Sequence, residues 1–322
     1  MVFTGGWRVL VGALILSAGV VAPATASADP VSCRSWNTVE LQVPPSVRFG
    51  GVAAAAGSYA VGNGSYWSMY GSSVLLWKDG QQVRNLGFFR SVVAAVDVNS
   101  SGVVLLSSSF SQAASRWHDD GSSEGGYEGL QGLPGEYQVQ AVALNERGDV
   151  LGTSKGKPVV WPAGSATPRR VPGTDESWTP VGLADDGSVL ASSASGKYWI
   201  GASGAVPLGA TAEVRAVRGS HAVGTIGAGT DDAQVVRWNT AGEITASYRY
   251  FVSPVAVNTR GHVLSDEPSE VSVWFDAETS ADVNRSPGSH WISLTDGDDV
   301  YGTTGDETYR NPIMFDCVGG GR

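Results

Sequence analysis

The sequence AAVDVNSSGVVLL at residues 94–106 recurs as QAVALNERGDVLG at 140–152 and as SPVAVNTRGHVLS at 253–265. A looser copy, PVGLADDGSVLA, occupies residues 180–191. Each copy alternates apolar and polar residues on both sides of a short turn that ends in glycine, a residue that readily adopts positive φ. The recurring unit is therefore a β-hairpin. A hairpin that returns at a regular interval predicts a repeat architecture.

Seven turn glycines mark the repeats, and successive marks are 32 to 46 residues apart. They are Gly57, Gly102, Gly148, Gly187, Gly219, Gly261 and Gly297. A third apolar strand follows each mark and ends in an aromatic residue. These residues are Trp77, Trp117, Trp161, Trp199, Trp238, Trp274 and Phe315. Stacked sheets need a large ring at one position of every repeat, so we interpret the aromatic residues as packing between sheets rather than as a binding feature.

A fourth, weaker strand follows most of the third strands, as in QQVRNLG at 81–87. Four short strands in about 42 residues are the unit of a propeller blade. We therefore predict an all-β, seven-bladed β-propeller of four-stranded blades, forming a single domain over residues 29–322. The last repeat lacks a fourth strand, and WNTVELQV at 36–43 is an N-terminal strand without a repeat. If this strand joins the last blade, the ring closes and no sheet edge stays open.

Residues 1–28 have the pattern of a secretory signal peptide. Arg8 precedes an apolar run of about 13 residues and a small-residue cleavage site, Ala26-Ser27-Ala28. The run is shorter than the roughly 20 residues that span a bilayer, although an uncleaved membrane anchor is the alternative. We expect a secreted, extracellular, monomeric protein without a membrane span in its mature chain.

The two cysteines, Cys33 and Cys317, each lie near one end of the mature chain. Secretion would place both in a compartment where disulfides persist. We predict that they form a disulfide bond where the ring closes. Two buried free thiols are the alternative.

The chain is acidic, with 31 Asp and Glu residues against 21 Lys and Arg residues and a formal net charge of −10. Loss of Arg8 with the signal peptide would make the charge −11. An acidic surface repels phosphate backbones and anionic lipids, which argues against nucleic-acid and membrane-surface partners. The expected partner is an extracellular glycan or protein ligand.

The pattern Ala-Val-x-Ile-Asn-x-x-Gly-x-Val-x-Gly, followed by an apolar strand ending in Trp, resembles the secreted bacterial HAF-type repeats. The matching stretches are residues 141–152, 255–264 and, with one substitution, 181–191. The His-Ala-Phe that names the repeat is absent, and the aligned positions before Trp161 read Pro-Val-Val. The resemblance implies a propeller architecture. Because members of this group are mostly of unassigned function, it implies little about activity.

An aromatic residue precedes the innermost strand in six of the seven repeats, and several have charged or polar neighbours. The candidate ligand-binding residues are Phe49, Phe89, Arg90, Tyr137, Trp178, Phe251, His290 and Trp291. By analogy with other propellers, the segments that enter the innermost strands converge around the central axis on one face, where ligands bind. Aromatic platforms with hydrogen-bonding neighbours suit sugars or peptides. The alternative is that these rings cap the core where the sheets taper.

No enzyme motif is complete: the Gly-x-Ser-x-Gly match at residues 121–125 lacks the following helical pattern of a nucleophile elbow, and the sequence contains no His-Glu-x-x-His and no phosphate-binding glycine loop. We therefore interpret the chain as a non-catalytic binding propeller and assign no catalytic residue. The first alternative is a secreted polysaccharide hydrolase or lyase that takes its carboxylates from different blades. The candidate acids for it are Asp97, Glu136, Glu176 and Glu213. A rigid cell-envelope spacer without a small ligand is the second alternative.

We expect no metal and no other cofactor. A calcium ion at Asp296, Asp298 and Asp299 is the alternative, because three carboxylates within a short span are the hard oxygen donors that calcium favours. The full pattern of a calcium-binding hand is absent. Asp and Gly are also ordinary turn residues.

Overall fold

A computed structural model describes residues 33–66, 71–89, 93–108, 111–122, 125–230, 232–248, 253–267, 270–283, 289–305 and 310–319, without the side chains of 48–50 and 87–89. These residues fall within one compact unit, Val31–Arg322. Within the described ranges, no helix is long and apolar enough to cross a lipid bilayer. The predicted signal peptide, residues 1–28, lies outside the described residues.

The described ranges contain twenty-eight β-strands, which form seven antiparallel sheets of four strands. Blade 1 consists of β2 (Val47–Ala56), β3 (Tyr59–Tyr66), β4 (Ser72–Lys78) and β5 (Gln81–Phe89). Blade 2 consists of β6 (Val93–Val98), β7 (Val104–Ser108), β8 (Ala113–His118) and β9 (Gly126–Gly129). Blade 3 consists of β10 (Val139–Leu144), β11 (Val150–Ser154), β12 (Lys157–Trp161) and β13 (Arg169–Arg170).

Blade 4 consists of β14 (Thr179–Leu183), β15 (Val189–Ser193), β16 (Gly196–Gly201) and β17 (Gly204–Pro207). Blade 5 consists of β18 (Glu213–Arg218), β19 (His221–Ile226), β20 (Gln234–Asn239) and β21 (Ile244–Tyr248). Blade 6 consists of β22 (Pro254–Val257), β23 (Val263–Asp266), β24 (Val271–Trp274) and β25 (Ser280–Val283). Blade 7 consists of β26 (His290–Leu294), β27 (Val300–Gly305), β28 (Arg310–Val318) and the N-terminal strand β1 (Ser35–Glu40).

The blades form a closed ring. The first strand of each blade is innermost and contacts the first strand of the next blade, and the contact of β26 with β2 completes the circle. Within each sheet the remaining strands follow in chain order, except that β1 is the outer strand of blade 7. The predicted seven-bladed, four-stranded β-propeller is confirmed.

The N-terminal strand closes the ring as predicted. Strand β1 pairs antiparallel with β28, with Trp36 opposite Cys317 and Glu40 opposite Ile313. A disulfide bond joins Cys33 to Cys317, whose Cα atoms are 5.6 Å apart although 284 positions separate them in the chain. Cys317 lies inside β28 rather than just after it.

The aromatic residue at the end of the third strand packs between blades, as interpreted from the sequence. Trp77, Trp117, Trp161 and Trp238 are at most 1% exposed. The indole N–H of Trp161 donates to the backbone oxygen of Gln131, which follows the outer strand of the preceding blade, at 2.8 Å. The ring of Trp161 therefore fills the gap between two sheets and is also hydrogen-bonded across it, as is that of Trp77 through the backbone oxygen of Gln42. The buried indole N–H of Trp238, in contrast, has no hydrogen-bond partner among the described residues.

In blade 4 the residue at the predicted packing position is Ile200 and not Trp199, the residue before it. In blade 3 the ring of Trp161 lies opposite Val150, the first residue of the second strand, and in blade 4 the equivalent residue is Ile200, opposite Val189. Since successive side chains of a strand point to opposite faces, Trp199 faces the other neighbour and joins the core that also contains Trp238.

In the turn of blade 7, the residue with positive φ is one position after the predicted Gly297. That residue is Asp298, at φ 64°. Its buried carboxylate accepts hydrogen bonds from two side chains of the preceding blade, those of Asn258, at 3.1 Å, and His262, at 2.8 Å. Aspartate adopts the left-handed region more readily than most other non-glycine residues.

The asparagine of the repeated turn connects neighbouring blades. Its Oδ1 closes its own turn, since the Oδ1 of Asn258 accepts hydrogen bonds from the backbone N–H groups of Arg260 and His262. Its Nδ2 donates to the backbone oxygen of Thr295 in the next blade, at 2.9 Å. Asn145 repeats both contacts, its Nδ2 donating to the backbone oxygen of Ala184.

Replacement of Asn258 by alanine is expected to lower the free energy of unfolding by about 2 kcal/mol, because the backbone N–H groups of Arg260 and His262 lose their acceptor and the backbone oxygen of Thr295 loses one of its two donors. Urea denaturation measures the loss. The matched control is Asn239→Ala, since Asn239 closes an outer turn through the backbone N–H groups of Ala241 and Glu243 without reaching another blade. An equal loss in both variants would mean that the bond between blades contributes nothing.

Candidate functional site

Every innermost strand contains a β-bulge at the same place. The register against the second strand shifts by one residue, as between Ala95 and Asp97 in blade 2, so that one residue has no partner. The seven bulged residues are Ala53, Val96, Val142, Val181, Arg215, Val255 and Ile292. Each lies three residues before the first residue of its turn. A bulge redirects a side chain locally, and here the redirection occurs seven times around one axis.

All seven bulged residues line a central cavity of about 300 Å³. Six of them are aliphatic and partly buried, and the seventh is Arg215. We call this set the bulge ring. Sequence reasoning missed it, although its signal was present: an apolar residue recurs three positions before the turn in six repeats, and blade 5 has arginine there.

Arg218 crosses the cavity at the turn end of the innermost strands. It is the last residue of β18 in blade 5, and its guanidinium contacts blades 2 and 3 on the far side of the ring. It pairs with Oδ1 of Asp97 at 3.1 Å and with Oε1 of Glu146 at 2.6 Å, and it donates to the backbone oxygen of Val98 at 2.9 Å. The side chain is 15% exposed. The cavity is therefore a channel that Arg218 closes at this end.

Asp97 uses both carboxylate oxygens at the closed end. Oδ1 accepts from Arg218 and from its neighbour's backbone N–H, and Oδ2 accepts from the backbone N–H of Leu144 at 2.9 Å. Burial raises the pKa of the Asp97 carboxyl, while the charge of Arg218 and these backbone hydrogen bonds act in the opposite direction. Each oxygen is thus held by protein donors, so the group serves to close the channel.

Arg215 is more accessible than Arg218. Its side chain is 61% exposed, and its ion-pair partner among the described residues is Glu213, with 3.6 Å between the nitrogen and the oxygen. That separation is longer than a hydrogen bond. The bulge ring therefore combines an aliphatic wall with one accessible guanidinium.

The predicted ligand-binding residues occupy different environments. Tyr137 precedes β10 and is 88% exposed, while Trp178 precedes β14, is partly buried and lies 5.4 Å from the ring of Tyr198. His290 is exposed at the start of β26. Trp291 is 5% exposed and packs at 4.8 Å against the ring of Phe315. Tyr137 and His290 are thus open to solvent, and Trp291 belongs to the core between blades 6 and 7.

The remaining predicted residues cannot be placed around these four. Arg90 and Phe251 lie outside the described residues, as do the side chains of Phe49 and Phe89. The assignment of the aromatic set to a ligand site stays a prediction.

The acids considered for catalysis have varied surroundings. Glu136 pairs with Nζ of Lys157 at 2.6 Å and accepts from Oγ of Ser154 at 2.6 Å, and these two hydrogen bonds lower its pKa. Glu176 and Glu213 are exposed, whereas Asp97 belongs to the closed end of the channel.

Glu136 gives a pH-dependent contribution to stability. Because its pKa in the folded protein is lowered from 4.5, the stabilisation is present above about pH 4.5 and is lost as the pH falls through the folded-state pKa. We expect Glu136→Gln to melt at a lower temperature than wild type at pH 7, and the two melting temperatures to converge in acid. Glu176→Gln, at an exposed acid, is the control. A gap for Glu136→Gln that stays constant from pH 7 to pH 2 would contradict this assignment.

The carboxylates considered for calcium have protein partners. The Oδ1 atom of Asp298 contacts the ring of His262. The Oδ1 atom of Asp299 accepts a hydrogen bond from the backbone N–H of Cys317 at 2.9 Å. The Oδ1 atom of Asp296 accepts one from the backbone N–H of Thr259 at 2.8 Å. In the part of the chain that the structure describes, no group of three or more His, Cys, Asp or Glu residues is arranged to hold a metal ion.

No family model matches this chain, and no curated protein matches it. The resemblance to the HAF-type repeats therefore stays a prediction.

Solved structures with the same fold exist. A manganese complex of oligogalacturonate lyase aligns over 90% of this chain and 98% of its own, with a TM-score of 0.61 and 11% identity. Virginiamycin B lyase from Staphylococcus aureus aligns over 88% and 99%, with a TM-score of 0.56 and 13% identity. A chain of the Mitotic Checkpoint Complex aligns over 96% and 99%, with a TM-score of 0.56 and 14% identity. At these identities the likeness shows the fold alone, and the fold serves unrelated functions.

Proposed function

We propose that this protein is a secreted, non-catalytic binding propeller that holds part of an extracellular ligand in its central channel. The observation that carries the proposal is the bulge ring, which lines a cavity of about 300 Å³ that Arg218 closes at one end. A cavity of this size is at the lower limit of small-molecule sites, so it takes one group of a larger ligand. That ligand is a glycan or a peptide. The rest of it lies on the face formed by the segments that lead into the innermost strands, and Tyr137 and Trp178 belong to these segments.

The surroundings of two of the four candidate acids support binding over catalysis, while Glu176 and Glu213 are exposed. A general acid or nucleophile must be able to exchange its proton or attack a substrate. Asp97 is held by Arg218 and two backbone N–H groups, and Glu136 is held by Lys157 and Ser154. These hydrogen bonds and ion pairs favour a structural role for the carboxylates of Asp97 and Glu136.

Secretion through residues 1–28 is part of the proposal. The Cys33–Cys317 bond supports it, because disulfides persist in oxidising compartments and are rare in the cytosol. We propose further that the mature protein is a monomer.

The test is binding to glycan and peptide arrays with the channel filled. The variant Val181→Trp places a large ring in the bulge ring, and Val83→Trp, at a 45% exposed residue of outer strand β5, is the matched control. We expect wild type and Val83→Trp to bind the same ligand and Val181→Trp to lose at least tenfold in affinity while melting within a few degrees of wild type. Unchanged binding by Val181→Trp, or no binding to either array by wild type, would contradict the proposal.

A further inference from the structure

We propose that the group held in the channel is the C-terminal residue of a peptide, with its free carboxylate on Arg215 and its aliphatic side chain in the bulge ring. This inference rests on the proposed function. It adds the chemistry of the ligand and the direction in which it enters.

The charge of the bulge ring favours a carboxylate. Arg215 is the one charged member of the set, and its guanidinium is exposed and is 3.6 Å from Glu213. A guanidinium presents paired N–H donors in a planar fork that matches a carboxylate, and such charge-assisted pairs are stronger than neutral hydrogen bonds. Because Arg215 is on a strand that pairs with β19 on both sides of its bulge, the position of its backbone is fixed before a ligand arrives.

The wall of the bulge ring favours an aliphatic side chain. The other six residues are alanine, valine and isoleucine, and they are partly exposed to the cavity. A leucine or valine side chain would bury its apolar surface against them, which is favourable in water. Since the ring contains no aromatic residue, a sugar would find no flat surface on which to stack.

The closed end of the channel favours a chain terminus. Arg218 lies three residues beyond Arg215 on the same strand, which is about 10 Å at the rise of a β-strand. The guanidinium of Arg218 spans the ring there and is held by Asp97 and Glu146. A peptide that enters from the other side cannot pass through, so it must end inside. Capture of a terminal carboxylate is a known mode of peptide recognition.

An amino terminus fits the channel less well than a carboxy terminus. The acid that lines the channel at its closed end is Asp97, and both of its oxygens already accept hydrogen bonds from Arg218 and the backbone. The one charge carried by the bulge ring itself is that of Arg215, and a bound carboxylate would replace the exposed Glu213, 3.6 Å away, as its partner.

The experiment uses an N-acetylated pentapeptide that ends in leucine, as the free acid and as the C-terminal amide, titrated calorimetrically into the mature protein. We expect the free acid to bind at least tenfold more tightly than the amide. In Arg215→Met the two forms should bind equally, and Arg215→Lys should recover part of the preference for the acid. The matched control is Arg84→Met, which removes an arginine that pairs with Asp119 on the outer surface at 3.0 Å.

Equal binding of acid and amide to wild type, an unchanged preference in Arg215→Met, or no saturable binding of the free acid up to millimolar concentration would each overturn the inference. These failures are distinct from failure of the proposed function. A ligand from the arrays that Val181→Trp no longer binds, combined with no preference for the free acid, would leave the channel as a binding site for other chemistry. Binding of the free acid that persists in Val181→Trp would place it outside the channel and would contradict both.

Discussion

Replacing Cys33 and Cys317 together by serine is expected to lower the free energy of unfolding by about 5 kcal/mol. The bond joins residues that are 284 positions apart, so it closes almost the entire propeller into one loop. In the chain-entropy model the stabilisation by a disulfide rises with the length of this loop and reaches the upper end of the usual range here. Urea denaturation of the mature wild type and of the double variant measures the difference.

Two controls accompany this experiment. The single variant Cys317→Ser should be as unstable as the double variant, and reduction of the wild type should reproduce both, since each treatment opens the same bond. A loss below 1 kcal/mol in all three would contradict the expectation. It would show that the pairing of β1 with β28 holds the last blade without covalent help.

Replacing Arg218 by methionine is expected to lower the free energy of unfolding by about 4 kcal/mol. The change removes the cation that pairs with Asp97 and Glu146 while leaving the Asp97 carboxylate enclosed. Removal of one partner of a buried ion pair typically has this effect because the remaining charge is desolvated without compensation. Arg215→Met, which removes an exposed arginine from the same strand, should change the free energy of unfolding by less than about 0.5 kcal/mol.

The pH dependence of the Arg218→Met variant separates this effect from simple loss of packing. Burial already raises the pKa of Asp97 in the wild type, and without Arg218 the pKa should rise further. A raised folded-state pKa favours the protonated form, so the folded state loses stability as the pH rises from about 4 through that pKa. The variant should therefore be less destabilised at pH 4 than at pH 7. The double variant with Asp97→Asn should recover part of the loss at pH 7, and an equal loss at both pH values with no recovery would contradict this account.

Much of the fold could be predicted because its determinants are local. Gly148 follows a strand with period-two polarity and has φ 87°, as the turn requires, and the same stretch recurs along the chain. The orphan strand at the N-terminus and the incomplete last repeat were enough to predict ring closure and the disulfide. Trp199 shows the limit of this reasoning, because a register error of one residue moves a side chain to the opposite face of its sheet.

The site could be predicted much less well because its determinants are not local. A bulge at Val142 adds one residue to a strand without changing its composition, and the flanking alanines keep the stretch looking like a regular strand. The partner of Arg218 in blade 2 is 121 positions away in the chain, so only the closed ring brings them together. The repeated asparagine was identified as a turn residue, but its bond to the next blade also depends on the closure of the ring.

The reactivity of one introduced thiol shows whether the central channel is open to a ligand. Both native cysteines are in the disulfide, so Val255→Cys provides a single reporter on the bulge ring. Its control is Val263→Cys, on the second strand of the same blade, at a residue that is 0% exposed and belongs to the core. An open channel predicts that a small maleimide labels Val255→Cys in the folded protein, and labels Val263→Cys only after denaturation. If Val255→Cys is as protected as Val263→Cys, the channel is not open to a ligand and the proposed site is wrong.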